Sequence, residues 1–100
     1  MATFVRAAAA ADVAPGTGVT VEVNGRQIAL FNVDGTFHAL AGECPHRGGP
    51  LGDGELEGCV VTCPWHSWQF DVTSGESLTD DLKAERYEVR VEGGEVLVAV

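Results

Sequence analysis

Polar and apolar positions along the chain change over in short stretches, and turn-forming pairs break them at close intervals. Val19-Thr20-Val21-Glu22-Val23 switches character at every residue, the two-residue period of a half-buried strand. Asn24-Gly25 follows it, and both residues tolerate the positive φ of a type I′ hairpin turn. Gln27 to Val33 is rich in apolar and β-branched residues and reads as the returning strand. Asp34-Gly35 makes a second turn of the same kind, and Thr36 to Leu40 is the next strand. Val60-Val61-Thr62 and Gln69-Phe70-Asp71-Val72 form two further short strands around a Cys/His-rich segment. Tyr87 to Glu92 alternates cleanly, Gly93-Gly94 turns, and Val96 to Val100 closes the chain.

Helical signals are weak by comparison. Ala7 to Ala11 has high helix propensity, but Phe4-Val5 precedes it and Pro15-Gly16 ends it within one or two turns. Thr79 to Glu85 has room for one helical turn. Seven or eight short strands joined by tight turns predict an all-β fold, a small antiparallel sandwich or barrel. With 100 residues, one domain over 1–100 is expected.

Composition narrows the functional classes. A hydrophobic fraction of 45% excludes a disordered chain, and no apolar run approaches the roughly 20 residues of a membrane span. The Ala7 to Ala11 run is too short for a signal-peptide core, and Met1-Ala2-Thr3 lacks a basic leader. A cytoplasmic protein without a membrane segment is expected. Fifteen acids against six Lys and Arg give a net charge of −9, which disfavours nucleic acid as a partner. The imbalance lies in the second half: residues 51–100 carry eleven acids and three bases. Such a field either keeps the chain soluble or steers it toward a partner with a basic face. Cys44, Cys59 and Cys63 are too few for a disulfide framework and odd in number, as in a reducing compartment.

The segment from about 43 to 75 departs from strand patterning. It contains Cys44-Pro45-His46, then sixteen residues, then Cys63-Pro64-Trp65-His66. Gly48, Gly49, Pro50 and Gly52 in the first half and Pro64 in the second make two tight loops, each with one thiol and one imidazole. The intervening Asp53-Gly54 turn and Val60-Val61-Thr62 strand would bring the loops face to face. Zinc accepts two Cys and two His, although its usual spacing keeps cysteines together and histidines together. A two-iron cluster explains the mixed pairs better, since each loop can send its Cys to one iron and its His to the other. A structural zinc module is the competing reading. His38 has no Cys at ligand spacing and reads as an ordinary strand residue. Cys59 reads as a small buried thiol, Trp65 and Trp68 as apolar cover or a docking element, and Arg47 as a surface residue.

This pair of motifs resembles the Rieske [2Fe–2S] proteins, directly over Cys44 to His66 and more loosely from about Val19 to Val98. The resemblance implies that Cys44 and Cys63 hold one buried iron and that His46 and His66 hold the other, nearer solvent. The relatives in respiratory and photosynthetic complexes carry an extra disulfide between the two loops, where this sequence has Gly49 and Trp65. They also place hydroxyls where Trp68 and Phe70 stand here. Fewer donors to sulfur imply a potential low in the family range of about −150 to +300 mV. Ser67 stands where the family usually has Gly, and residues 77–85 lack the proline with which many relatives cover the cluster. The chain is similar to stand-alone ferredoxins, which carry electrons from a flavin-dependent reductase to a terminal oxygenase without being catalysts. It is similar also to the small Rieske-type subunit of assimilatory NADH-nitrite reductase, which would make that enzyme's large subunit its partner.

Overall fold

A computed structural model of the chain describes residues 3–42, 51–64, 68–78 and 83–99. Apart from two single 3-10 turns, Ala10–Asp12 and Leu51–Asp53, regular structure among these residues is extended. The strands are β1 (Phe4–Ala9), β2 (Thr17–Val23), β3 (Arg26–Val33), β4 (Thr36–Ala41), β5 (Glu55–Glu57), β6 (Val60–Thr62), β7 (Gln69–Asp71), β8 (Arg86–Tyr87), β9 (Val89–Glu92) and β10 (Glu95–Ala99). They form three antiparallel sheets with the orders β1-β10-β9, β2-β3-β4-β8 and β5-β6-β7. The all-β expectation is met, with ten strands among the described residues rather than seven or eight.

The turns lie where the sequence places them. Val23 pairs with Arg26 around Asn24-Gly25, and Val33 with Thr36 around Asp34-Gly35. Asn24 and Asp34 have φ of 52° and 51°, each followed by a glycine at positive φ, which fits the right-handed twist of a two-residue hairpin.

The central sheet is buried on both faces because β3 alternates between two cores. Ile28 and Leu30 face Val13, Val23, Ala39, Val96 and Val98, the core shared with the β1-β10-β9 sheet. Ala29 and Phe31 face Leu51, Val61, Cys63, Phe70 and Val72, the core shared with the β5-β6-β7 sheet. β4 divides in the same way, Ala39 to the first core and Leu40 to the second. The second core carries the small sheet on which the Cys/His-rich segment is mounted.

Three local expectations need correction. The Ala-rich run is a strand as far as Ala9, then a 3-10 turn, because β1 pairs with β10 from Phe4↔Ala99 to Ala9↔Glu95. Cross-strand pairing outweighs a helix propensity worth tenths of a kcal/mol per residue. The alternating stretch Tyr87 to Glu92 is divided: Tyr87 pairs with Ala39 in the central sheet, whereas Val89 to Glu92 pair with β10. The turn expected at Asp53-Gly54 only leads into β5, and the β5–β6 hairpin turns instead at Gly58-Cys59, with Gly58 at φ 62°. Of the helical turn expected over Thr79 to Glu85, positions 79–82 lie outside the described residues, and Lys83 is in a β-bridge with Glu76.

Candidate metal centre

Two backbone hydrogen bonds join the described residues that flank the Cys/His positions. The Leu51 N–H donates to the Gly42 carbonyl at 2.9 Å and ties together the ends of the 43–50 segment. The Cys63 N–H donates to the Trp68 carbonyl at 2.6 Å, just beyond the Thr62↔Gln69 pair of β6 and β7. The two bonded pairs meet in one apolar cluster, since Leu51 and Cys63 pack with Phe31, Val61 and Phe70. Distant segments of the sequence therefore bring the roots of both loops to one end of the second core.

Cys63 is 1% exposed. Burial among apolar side chains suits a sulfur ligand on the inner side of a metal group, where coordination compensates a thiolate that water cannot reach. Phe70 is fully buried in the same cluster, and Trp68 is half-buried against it. Neither side chain carries a hydroxyl. Cys44, His46 and His66 lie outside the described residues, as do Arg47, Gly49, Trp65 and Ser67.

Cys59 differs from its sequence reading. It stands in the β5–β6 turn and is half-buried, packed against the second core from its edge. Its carbonyl accepts the Val72 N–H at 2.8 Å.

Close approach shapes the first loop's exit. A Cβ on Gly52 would meet the Thr20 hydroxyl and lie 2.7 Å from the Val19 carbonyl oxygen. Thr20 Oγ1 is itself buried without a hydrogen-bond partner. The Leu51–Asp53 turn thus lies directly on β2, which the sequence did not foretell.

His38 is half-buried on the side of β4 that Leu40 also faces. Burial, then the Arg86 guanidinium, hold its imidazole below the ordinary value, and Asp71 acts in the opposite direction. The Asp71 carboxyl is held below the carboxylate range first by the Thr73 hydroxyl, with smaller help from the Thr73 N–H and from His38. Sequence spacing gave no sign of this grouping, whose members come from β4, β7 and β8.

Among the described residues no helix is long and apolar enough to cross a membrane. The family model of the Rieske [2Fe-2S] domain matches residues 3–92. A ferredoxin component of naphthalene 1,2-dioxygenase/salicylate 5-hydroxylase systems from a Ralstonia species is 37% identical over 99 residues, covering 95% of this chain and 93% of that protein. The chain is similar also to a solved structure from the complex of reduced oxygenase and oxidised ferredoxin in carbazole 1,9a-dioxygenase. That match has a TM-score of 0.89 at 33% identity and covers 96% of this chain and 92% of the other. A protein assigned as the NADH-dependent nitrite reductase small subunit of Mycobacterium tuberculosis aligns with a TM-score of 0.91 at 29% identity, over 100% and 96% of the two chains.

Proposed function

The chain belongs to the Rieske [2Fe–2S] domain family, and from that premise we propose that it carries single electrons from a flavin-dependent reductase to a terminal oxygenase. The observation that carries this reading is its full-length likeness to ferredoxin components of oxygenase systems. It acts as an electron-transfer component and not as a catalyst. The bound [2Fe–2S] cluster supplies a one-electron couple whose potential rises when imidazoles replace thiolates on one iron.

In this reading Cys44 and Cys63 hold one iron and His46 and His66 the other, within a single domain over 1–100 whose cluster-binding segment spans about 43–75. The protein's own part is positioning and shielding. The Gly42–Leu51 and Cys63–Trp68 hydrogen bonds fix the loop bases. Leu51, Val61 and Phe70 floor the site and keep water from the thiolate side. Trp68 and Phe70 bring no O–H to sulfur, which keeps the potential low. The partners present a basic docking face, and the setting is the cytoplasm.

A second reading is favoured by one observation, the likeness to the nitrite reductase small subunit over the whole chain. There the protein would stay bound to a large subunit instead of shuttling between partners.

Absorption and EPR spectra of anaerobically purified protein test the cofactor. The expected result is a coloured protein with about two iron and two sulfide per chain and a Rieske-type signal on reduction. A colourless, zinc-containing protein would overturn it. Reoxidation of the reduced protein by an oxygenase component, as opposed to a sirohaem reductase, separates the two settings.

A further inference from the structure

A groove of about 610 Å³ opens between the turn that follows β7 and the segment that leads into β8. Thr73 and Ser74 form one wall, and Lys83, Ala84, Glu85 and Arg86 the other. Both walls are fixed by backbone. Gly75 N–H donates to the Asp71 carbonyl at 2.7 Å, Ala84 N–H to the Gly75 carbonyl at 2.7 Å, and Ala41 N–H to the Glu85 carbonyl at 2.8 Å. Asp71 Oδ1 also accepts from the Thr73 N–H at 2.8 Å and from its hydroxyl at 2.5 Å.

The groove collects two of the six Lys and Arg of a chain with net charge −9. Among the described residues Arg6 and Arg90 are ion-paired, to Glu95 and Glu92, whereas no ion pair involves Lys83 or Arg86. Glu76 stands opposite Lys83 in a β-bridge without such a pair. Ser74 Oγ accepts the Glu76 N–H at 3.2 Å, which leaves its own proton to donate.

We propose that this groove is a binding site for a small organic monocarboxylate. The Arg86 fork and the Lys83 ammonium take the carboxylate oxygens, and the Ser74 hydroxyl donates a third hydrogen bond. The site commits to a single negative charge because Glu85 on one wall, Asp71 beside Thr73 and Glu76 opposite Lys83 surround the two cations with three carboxylates and oppose any dianion. The groove is open to solvent, and its volume, well beyond that of a bare carboxylate, leaves room for an aromatic or alkyl body along the exposed Thr73 and the Lys83 stem, Ala84 itself being buried. The net charge of the chain opposes indiscriminate adsorption of anions. Screening confines most of that repulsion to distances under ~8 Å at physiological ionic strength, so uptake there reports local donors.

The test is amide chemical-shift mapping of the cluster-loaded, oxidised protein during titration with benzoate, acetate and inorganic phosphate. Saturable shifts at Thr73, Ser74 and Lys83 to Arg86 are expected for benzoate, weaker ones for acetate and the weakest for phosphate. Arg86→Gln should cost about tenfold or more in benzoate affinity, the loss of a charge-assisted hydrogen bond. Lys83→Gln, at an exposed position, should weaken it in the same direction with the visible spectrum unchanged. Absence of saturation up to the solubility of benzoate would overturn the proposal. So would shifts centred on Arg6 or Arg26, an affinity untouched by both substitutions, or phosphate binding more tightly than benzoate.

Discussion

At the scale of single residues, two cysteines four positions apart have different fates. Cys63 sits in the core at the root of the second loop, and Cys59 sits in a hairpin turn at the core's edge. Cys63→Ala should therefore bring cluster content close to zero and lower the melting temperature, because metal binding and folding are linked. Cys59→Ser should keep the visible spectrum; iron analysis of both variants checks the pair, and an iron-free Cys59→Ser protein would mean the ligands were misassigned. Phe70 offers a finer probe, being fully buried in the cluster that holds Cys63. In Phe70→Tyr a new hydroxyl either reaches sulfur or is buried unpaired. A hydrogen bond favouring the reduced form by about 1 kcal/mol raises a one-electron potential by about 40 mV. Voltammetry should show that rise. An unchanged potential together with a loss of about 1–3 kcal/mol in stability would show that the ring does not point at sulfur.

Elements were legible wherever strand period and turn chemistry agreed. The β2–β3, β3–β4 and β9–β10 hairpins could be read because Asn24-Gly25, Asp34-Gly35 and Gly93-Gly94 punctuate alternating stretches. β1 could not, since alanines carry a helical preference and only the distant β10 turns them into a strand. The partition of residues 86–92 between two sheets escaped for a similar reason: alternation continues through Glu88 although the pairing partner changes from β4 to β10. Of the site, the paired motifs are a reading from spacing alone: Cys63 is buried, and Cys44, His46 and His66 lie outside the described residues. The seat of the Leu51–Asp53 turn on β2 left no local trace beyond a glycine. That contact gives a test at the element scale. Gly52→Ala forces a methyl group into the Thr20 hydroxyl and toward the Val19 carbonyl, and overpacking of this kind costs about 1–3 kcal/mol. The turn also closes the first loop, so this variant should release iron faster to a chelator than the wild type. Equal release rates would show that the turn bears no strain from the loop.

For the molecule as a whole, protons and salt act through different groups. His38 and Asp71 both have lowered pKa values in the fold, against ordinary values of 6.5 and 3.8. A depressed folded value means that the unfolded chain takes up the proton first as pH falls. Stability from His38 is thus present above about 6.5 and is lost as pH drops through its lower folded value, and Asp71 repeats the pattern below 3.8. Denaturant midpoints measured from pH 7 downward should fall, and His38→Gln should flatten the upper part of that decline. A variant with the wild-type slope would remove His38 from the account. Salt addresses the charge that partners meet. From Leu51 to Leu78, the stretch that forms the small sheet, the chain has five acids and no Lys or Arg. An electron carrier that meets its partners by diffusion gains association rate from such a field, and the gain disappears as the Debye length shrinks from about 30 Å at 0.01 M to about 3 Å at 1 M. The second-order rate of its reduction by a reductase with a basic face should fall by about tenfold or more across that range. Stopped-flow measurement in dilute solution provides the check, with the potential followed separately so that a change in driving force is not mistaken for screening. A subunit held permanently in a larger enzyme would show no such dependence, because its partner is already in place. A rate that stays level with salt would therefore count against free diffusion between partners and in favour of the bound-subunit setting.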